Sequence, residues 1–259
     1  FLTYFDVPCN GAASPKHRGR YYSIVYGPIT FITLDSSDGL PHQTASDTNH
    51  NLEGSHAPDF NPSSEQYRWL EARLAEAQSS AFTFVQFHHT MFGSGPHSIP
   101  FANPNFSGQA GIAMRVLLTL LMRYGVDAVF SGHDELLERS LVTGTESLPD
   151  GSTRAHRIHF YDVGMGGDGL RGPSEGFDNP YRQFLAHDDV PEVWNGKQLF
   201  SGGKHYGHLE VNVTQNAEGQ WLAELTPVQV FPLLDSEGKV TGWERRTYDD
   251  VVTITAPAG

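Results

Sequence analysis

Two histidine sites share one setting in this sequence. The run Phe82-Thr83-Phe84-Val85-Gln86-Phe87 leads directly into His88-His89, and Val126-Asp127-Ala128-Val129-Phe130 leads through Ser131 and Gly132 into His133-Asp134-Glu135. Each run is short, apolar and β-prone, the pattern of a buried strand. In open α/β sheets, ligands collect beyond the carboxyl ends of the strands. Two strands that each deliver a histidine there could place two imidazoles on one ion, and neutral imidazole is a good borderline ligand for Zn, Fe, Mn or Ni. Gly132 is expected to let the backbone turn sharply and bring the His133 ring close. The alternative is a set of loop-end histidines hydrogen-bonded to nearby carbonyls, and the residues alone leave both readings open.

The elements that must position these residues follow from the flanking sequence. Tyr21–Val25 and Ile29–Leu34 read as two strands joined by a turn at Tyr26-Gly27-Pro28, a hairpin. Asp35–Pro62 is polar and rich in Ser, Asn, Gly and Pro, hence loop. Ser63-Ser64-Glu65-Gln66 resembles a capping box with Ser63 as the cap, and Tyr67, Leu70 and Leu74 then fall on one helical face. A second helix is predicted over about Gln109–Tyr124, stopped by Gly125. This middle stretch alternates strand and helix, the grammar of an α/β sheet. Beyond Ile158 the predicted strands (Ile158–Val163, Leu209–Val213, Trp221–Phe231, Val251–Thr255) are separated by Gly-rich loops with little helix, which reads as antiparallel sheet. No linker is visible, so residues 1–259 are taken as one domain.

Composition narrows the function. The 259 residues carry 17 Lys and Arg against 30 Asp and Glu, a net charge of −13 that disfavours nucleic acid as a partner. The single cysteine, Cys9, excludes an internal disulfide or a thiolate metal cage. No apolar run is long enough to span a membrane. The sequence begins with Phe1 rather than Met, and the expectation is a processed or truncated chain that is periplasmic or secreted.

The segment Phe87-His88-His89-Thr90-Met91-Phe92-Gly93-Ser94-Gly95 resembles the HHPPYSSG stretch of the calcineurin-like, purple acid phosphatase-like metallophosphoesterases. Gly132-His133-Asp134-Glu135-Leu136-Leu137-Glu138-Arg139-Ser140 resembles their GHxHxYERS stretch. Other segments agree in order: Phe1–Pro8, the hairpin running into Leu34-Asp35-Ser36, Gln66-Tyr67-Arg68-Trp69-Leu70, and Asp162-Val163-Gly164-Met165-Gly166-Gly167. The resemblance implies a four-layer α-β-β-α sandwich of two mixed sheets. It implies hydrolysis of phosphomonoesters or phosphodiesters by hydroxide activated on two metal ions such as Zn, Fe or Mn. Carried over by position, His88 and His133 would be metal ligands. His89 would lie behind the metal ligands or beside the phosphate, and His97 would contact phosphate or protonate the leaving oxygen; a solvated loop histidine is the other reading of His97. Asp134 would orient a histidine from behind.

Two departures stand out. Glu135 occupies the place of the second histidine of GHxH, where it would either ligate an ion through oxygen or merely hydrogen-bond to a neighbour. The Asp-x-His, Gly-Asp-x-x-Asp/Tyr and Gly-Asn-His-Glu/Asp motifs are absent, and the Gly167-Asp168 pair lies in the wrong place to supply them. The sandwich is therefore expected to be incomplete on its N-terminal side, with the remaining ligands on a further segment of the same protein, and its open edge to need cover. Two rivals follow: a catalytically inactive binding or scaffold domain on the same fold, and a lectin-like β-sandwich built on the C-terminal strands. His42, His50 and His56 read as solvated loop residues, His205 and His208 as weak candidates near the site, and Arg139 as a structural ion-pair partner.

Overall fold

The computed structural model describes residues 6–37, 57–99, 103, 111–148, 150–167, 169–187 and 191–256. The first of its two main sheets holds β1 (Tyr22–Tyr26), β2 (Ile29–Thr33), β3 (Phe82–Gln86), β4 (Ala128–Ser131), β5 (Leu137–Ser147), β6 (Thr153–Val163) and β7 (Arg182–Leu185). Their order is β1-β2-β3-β4-β6-β5-β7. The four strands β2, β3, β4 and β6 are parallel, and β1, β5 and β7 run antiparallel to their neighbours. After a small hairpin of β8 (Val193–Asn195) and β9 (Gln198–Ser201) comes the second sheet. It contains β10 (Gly207–Gln215), β11 (Trp221–Leu234), β12 (Val240–Thr247) and β13 (Val252–Thr255). All its pairings are antiparallel, as predicted for Leu209–Val213, Trp221–Phe231 and Val251–Thr255, but the predicted strand Ile158–Val163 falls in β6 of the first sheet, parallel to β4.

The apolar runs that mark β3 and β4 are continuous because both faces are covered. Phe82, Phe84 and Ala128 meet Ala223 and Leu225 of the second sheet together with Tyr161. Val85 and Val129 on the opposite face meet the helices through Leu70, Leu74, Leu117 and Leu121. Three of the four expected layers are thus present among the described residues: helices, first sheet, second sheet.

Helix α1 (Glu65–Ala77) is capped by Ser64, whose side chain accepts from Tyr67 N. The cap falls one residue later than predicted, because Ser63 sits in the left-handed region at φ 73°. Gln66 turns inward and becomes a buried clasp: its Oε1 accepts from Asp35 N and its Nε2 donates to the carbonyls of Asp35 and Pro58. The chain leaving β2 is therefore fixed. The second helical segment is a 3-10 helix, Gly111–Leu117, running into α2 (Leu118–Arg123). Its predicted start, Gln109, lies outside the described residues. It ends, as predicted, at Gly125, φ +64°. Gly111 is required by contact: a Cβ there would lie 2.1 Å from the Thr90 carbonyl oxygen.

The two sheets are clasped by Arg139 on β5, whose Nε and Nη2 donate to the Asp250 carboxylate at 2.8 and 2.6 Å. Both side chains are about nine-tenths buried, so the pair is a structural link as its sequence setting implied. Arg139→Met leaves Asp250 without a partner and should cost about 2–4 kcal/mol in urea unfolding. A double-mutant cycle with Asp250→Ala should return a coupling above about 1 kcal/mol, and additive effects would show that the clasp carries no stability.

Candidate metal centre

Strands β3 and β4 run in parallel with Gln86 opposite Phe130. The ladder continues past the strand ends: Phe87 N donates to Phe130 O and Gly132 N to His88 O. That register brings the two histidine sites together, with His133 Nδ1 2.8 Å from His88 Nε2. Gly132 plays a different part from the one expected. Its φ is not left-handed, and a Cβ there would approach Gly164 no closer than 3.5 Å, an ordinary contact. The close approach falls on Gly164, where a Cβ would lie 1.9 Å from the Asp134 carbonyl oxygen.

His89 is buried, and its Nδ1 lies 2.8 Å from Ser36 Oγ at the end of the clasped segment after β2. The ligating atoms of His88, His89 and His133 all lie within 4.8 Å of one another. His133 Nε2 is buried without a hydrogen-bond partner. His97 joins the group from the loop after β3, its ring centroid 4.3 Å from that of His133.

Asp134 holds that loop. Fully buried, it accepts from His97 N at 2.9 Å and from Ser98 Oγ at 2.9 Å. A Cβ on Gly95 would fall 2.3 Å from its Cγ, so only glycine lets the loop close over the carboxylate. The expected action of Asp134 on a histidine ring is thus an action on the His97 backbone. A second buried carboxyl, Asp162, accepts from Thr90 Oγ1 at 2.7 Å, and burial followed by the nearby Asp134 pushes it well above the usual carboxylate range.

Glu135 stands outside the three-histidine group. Its Oε2 lies 2.5 Å from Arg171 Nε, although its charge still reaches His88 and His97. His205 and His208 take no part either. His205 Nε2 faces Gly202 O at 2.7 Å, and the exposed His208 lies 3.2 Å from Glu210. His42, His50 and His56 lie outside the described residues. Sequence reasoning gave no role to Ser36, to Arg171 or to the buried His187. The one available signal was for Ser36, which closes the Leu34-Asp35-Ser36 segment that resembles the family pattern. A cleft of about 400 Å³ opens beside His88 at the ends of the first sheet's strands, lined by Leu34, Phe87, Phe130 and Val163 among others.

The imidazoles are neutral. Burial first, then the neighbouring histidines, lowers His133 to about 2 and His89 to about 3. His88 and His97 are lowered as well, again chiefly by burial. Neutral imidazole is the metal-binding form, and three of them with no carboxylate fit one borderline ion that keeps open positions. No other group of three such ligands occurs among the described residues. The folded values lie below the unfolded 6.5, so the unfolded chain binds more protons: this contribution to stability is full above about pH 6.5 and lost as pH falls towards the folded values. In the metal-free protein, ¹⁵N spectra at pH 5 should show His89 and His133 still neutral, and midpoints near 6.5 would contradict the buried arrangement.

No protein-family model and no curated protein matches the sequence. Among solved structures, the chain is similar to a purple acid phosphatase from yellow lupin (Lupinus luteus) seeds, with 18% identity and a TM-score of 0.51. That match covers 94% of this chain and 34% of the phosphatase, so the chain spans about a third of its length. It is also similar, at 16% identity and a TM-score of 0.42, to GAP50, the anchor in the inner membrane complex of Plasmodium, over 89% of this chain and 54% of that one. The likeness to the phosphatase is one of fold, a two-sheet α/β sandwich. No helix among the described residues is long and apolar enough to cross a membrane.

Proposed function

We propose that this chain provides the histidine side of a metal-dependent phosphoester hydrolase. The observation that carries the reading is the neutral, mutually close group of His88, His89 and His133 at the carboxyl ends of β3 and β4, on a phosphatase-type sandwich. These three residues would hold the ion. When bound, it would lower the pKa of a coordinated water and offset charge developing on phosphorus. Ser36 keeps the His89 ring turned towards the cluster. Asp134 keeps His97 over His133, where its imidazole would contact a phosphate oxygen or carry a proton to the leaving group. The cleft beside His88 would admit the ester.

A second ion needs donors that the described residues do not bring to the histidines. We place them on a further segment of the same protein, added along β10. That strand pairs only with β11 among the described residues, and its Val211 is exposed. The single-ion site of the chain and the two-ion chemistry of the complete enzyme are thus separate claims.

Metal content and hydrolysis of p-nitrophenyl phosphate, measured on the intact protein, test the proposal. His133→Ala should strip the bound metal and lower hydrolysis at least about a hundredfold. His97→Ala should keep the metal and lower kcat about a hundredfold. Unchanged hydrolysis in His133→Ala would remove the histidine group from the reaction. Metal binding without any hydrolysis would favour the inactive binding domain.

A further inference from the structure

We propose that Arg171 is an anion-binding residue beside the histidine group, fixed there by Glu135, and that it selects the dianionic phosphate of a monoester. The choice of substrate class rests on the hydrolase reading above; the anion site itself does not.

Glu135 stands two residues after His133, so whatever it binds is held next to the cluster. What it faces is a guanidinium: Arg171 Nε lies 2.5 Å from Glu135 Oε2, an ion-pair contact in which that oxygen accepts no hydrogen bond. The backbone is fixed at the same place. Arg171 N donates to Glu135 O at 2.8 Å. The positive charge is therefore positioned by one backbone hydrogen bond and one ion pair. Its field is felt at the cluster, since Arg171 helps lower both His97 and His133.

The ion pair uses Nε. Nη1 and Nη2 have no partner among the described residues, and the side chain is 46% exposed. A guanidinium held by one edge offers two parallel N–H bonds to a phosphate, a geometry that lysine cannot supply. The need for such a group is set by charge. The protein carries a net −13, and the three imidazoles bring no charge of their own. A fixed guanidinium gives an incoming dianion a local partner that the overall field does not. Glutamate in place of the second histidine of the GHxH pattern thus exchanges a metal ligand for an anchored cation. A monoester dianion gains more from that cation than a diester monoanion does.

The test uses the metal-free protein and inorganic phosphate at about pH 8, where phosphate is largely dianionic. The Arg171 Nε signal in ¹H–¹⁵N spectra should shift saturably as phosphate is added. Arg171→Gln should lower phosphate affinity about tenfold or more, as expected for losing hydrogen bonds from a charged group. His133→Ala should still bind phosphate. Phenyl phosphate should bind more tightly than diphenyl phosphate, and Glu135→Gln should keep zinc affinity within about twofold. The proposal is overturned if the wild-type protein does not bind phosphate, if Arg171→Gln binds it as the wild type does, if the two esters bind equally, or if Glu135→Gln loses zinc. A protein that binds phosphate through Arg171 but holds no zinc would sink the hydrolase reading and leave the anion site standing.

Discussion

The arrangement of the site depends on the parallel pairing of β3 with β4. Because Gln86 lies opposite Phe130, the ladder extends by one bond on each side, Phe87 to Phe130 and His88 to Gly132. Side chains alternate along a strand, so a shift of one residue would turn every side chain of one strand to the other face. The register is held by burial on both faces, with Phe84 and Ala128 against the second sheet and Val85 and Val129 against the helices. Closeness of His88 to His133 is thus a consequence of how the core is filled.

Around that pair the polypeptide is joined at points far apart in sequence. Ser36 reaches His89 because Gln66 on α1 clasps the chain leaving β2. Glu138 on β5, fully buried, accepts from Ser94 N, Ser94 Oγ and Asn179 Nδ2 and so ties the loop after β3 to the segment before β7. Buried polar groups of this kind are tolerated only when their bonds are made, which leaves the loops little freedom.

The same fact explains what could be read from the sequence. β3 and β4 were legible because an apolar run ends at a histidine in each, and α1 because Leu70 and Leu74 repeat at helical spacing. β5 was not. Its Glu138 and Ser140 look like surface residues, and their burial depends on partners from the loop after β3 and the segment before β7. The cap of α1 fell on Ser64 rather than Ser63 because two adjacent serines carry the same local signal and backbone conformation decides between them. Resemblance to a family brought Glu135 to notice, but its partner Arg171 sits in a glycine-rich stretch with no strand or helix pattern, where only the folded chain reveals the pairing.

Asp134, Gly95 and Gly164 interlock: one carboxylate, with the bare backbone of two glycines closed against its residue. A side chain at either glycine would displace the aspartate and with it the segment bearing His97. The three positions therefore form a single steric unit. Anyone transplanting this centre into another scaffold, or diversifying the loop in a library, has to move or randomise them together. Sequence comparisons made one column at a time will undervalue each of them.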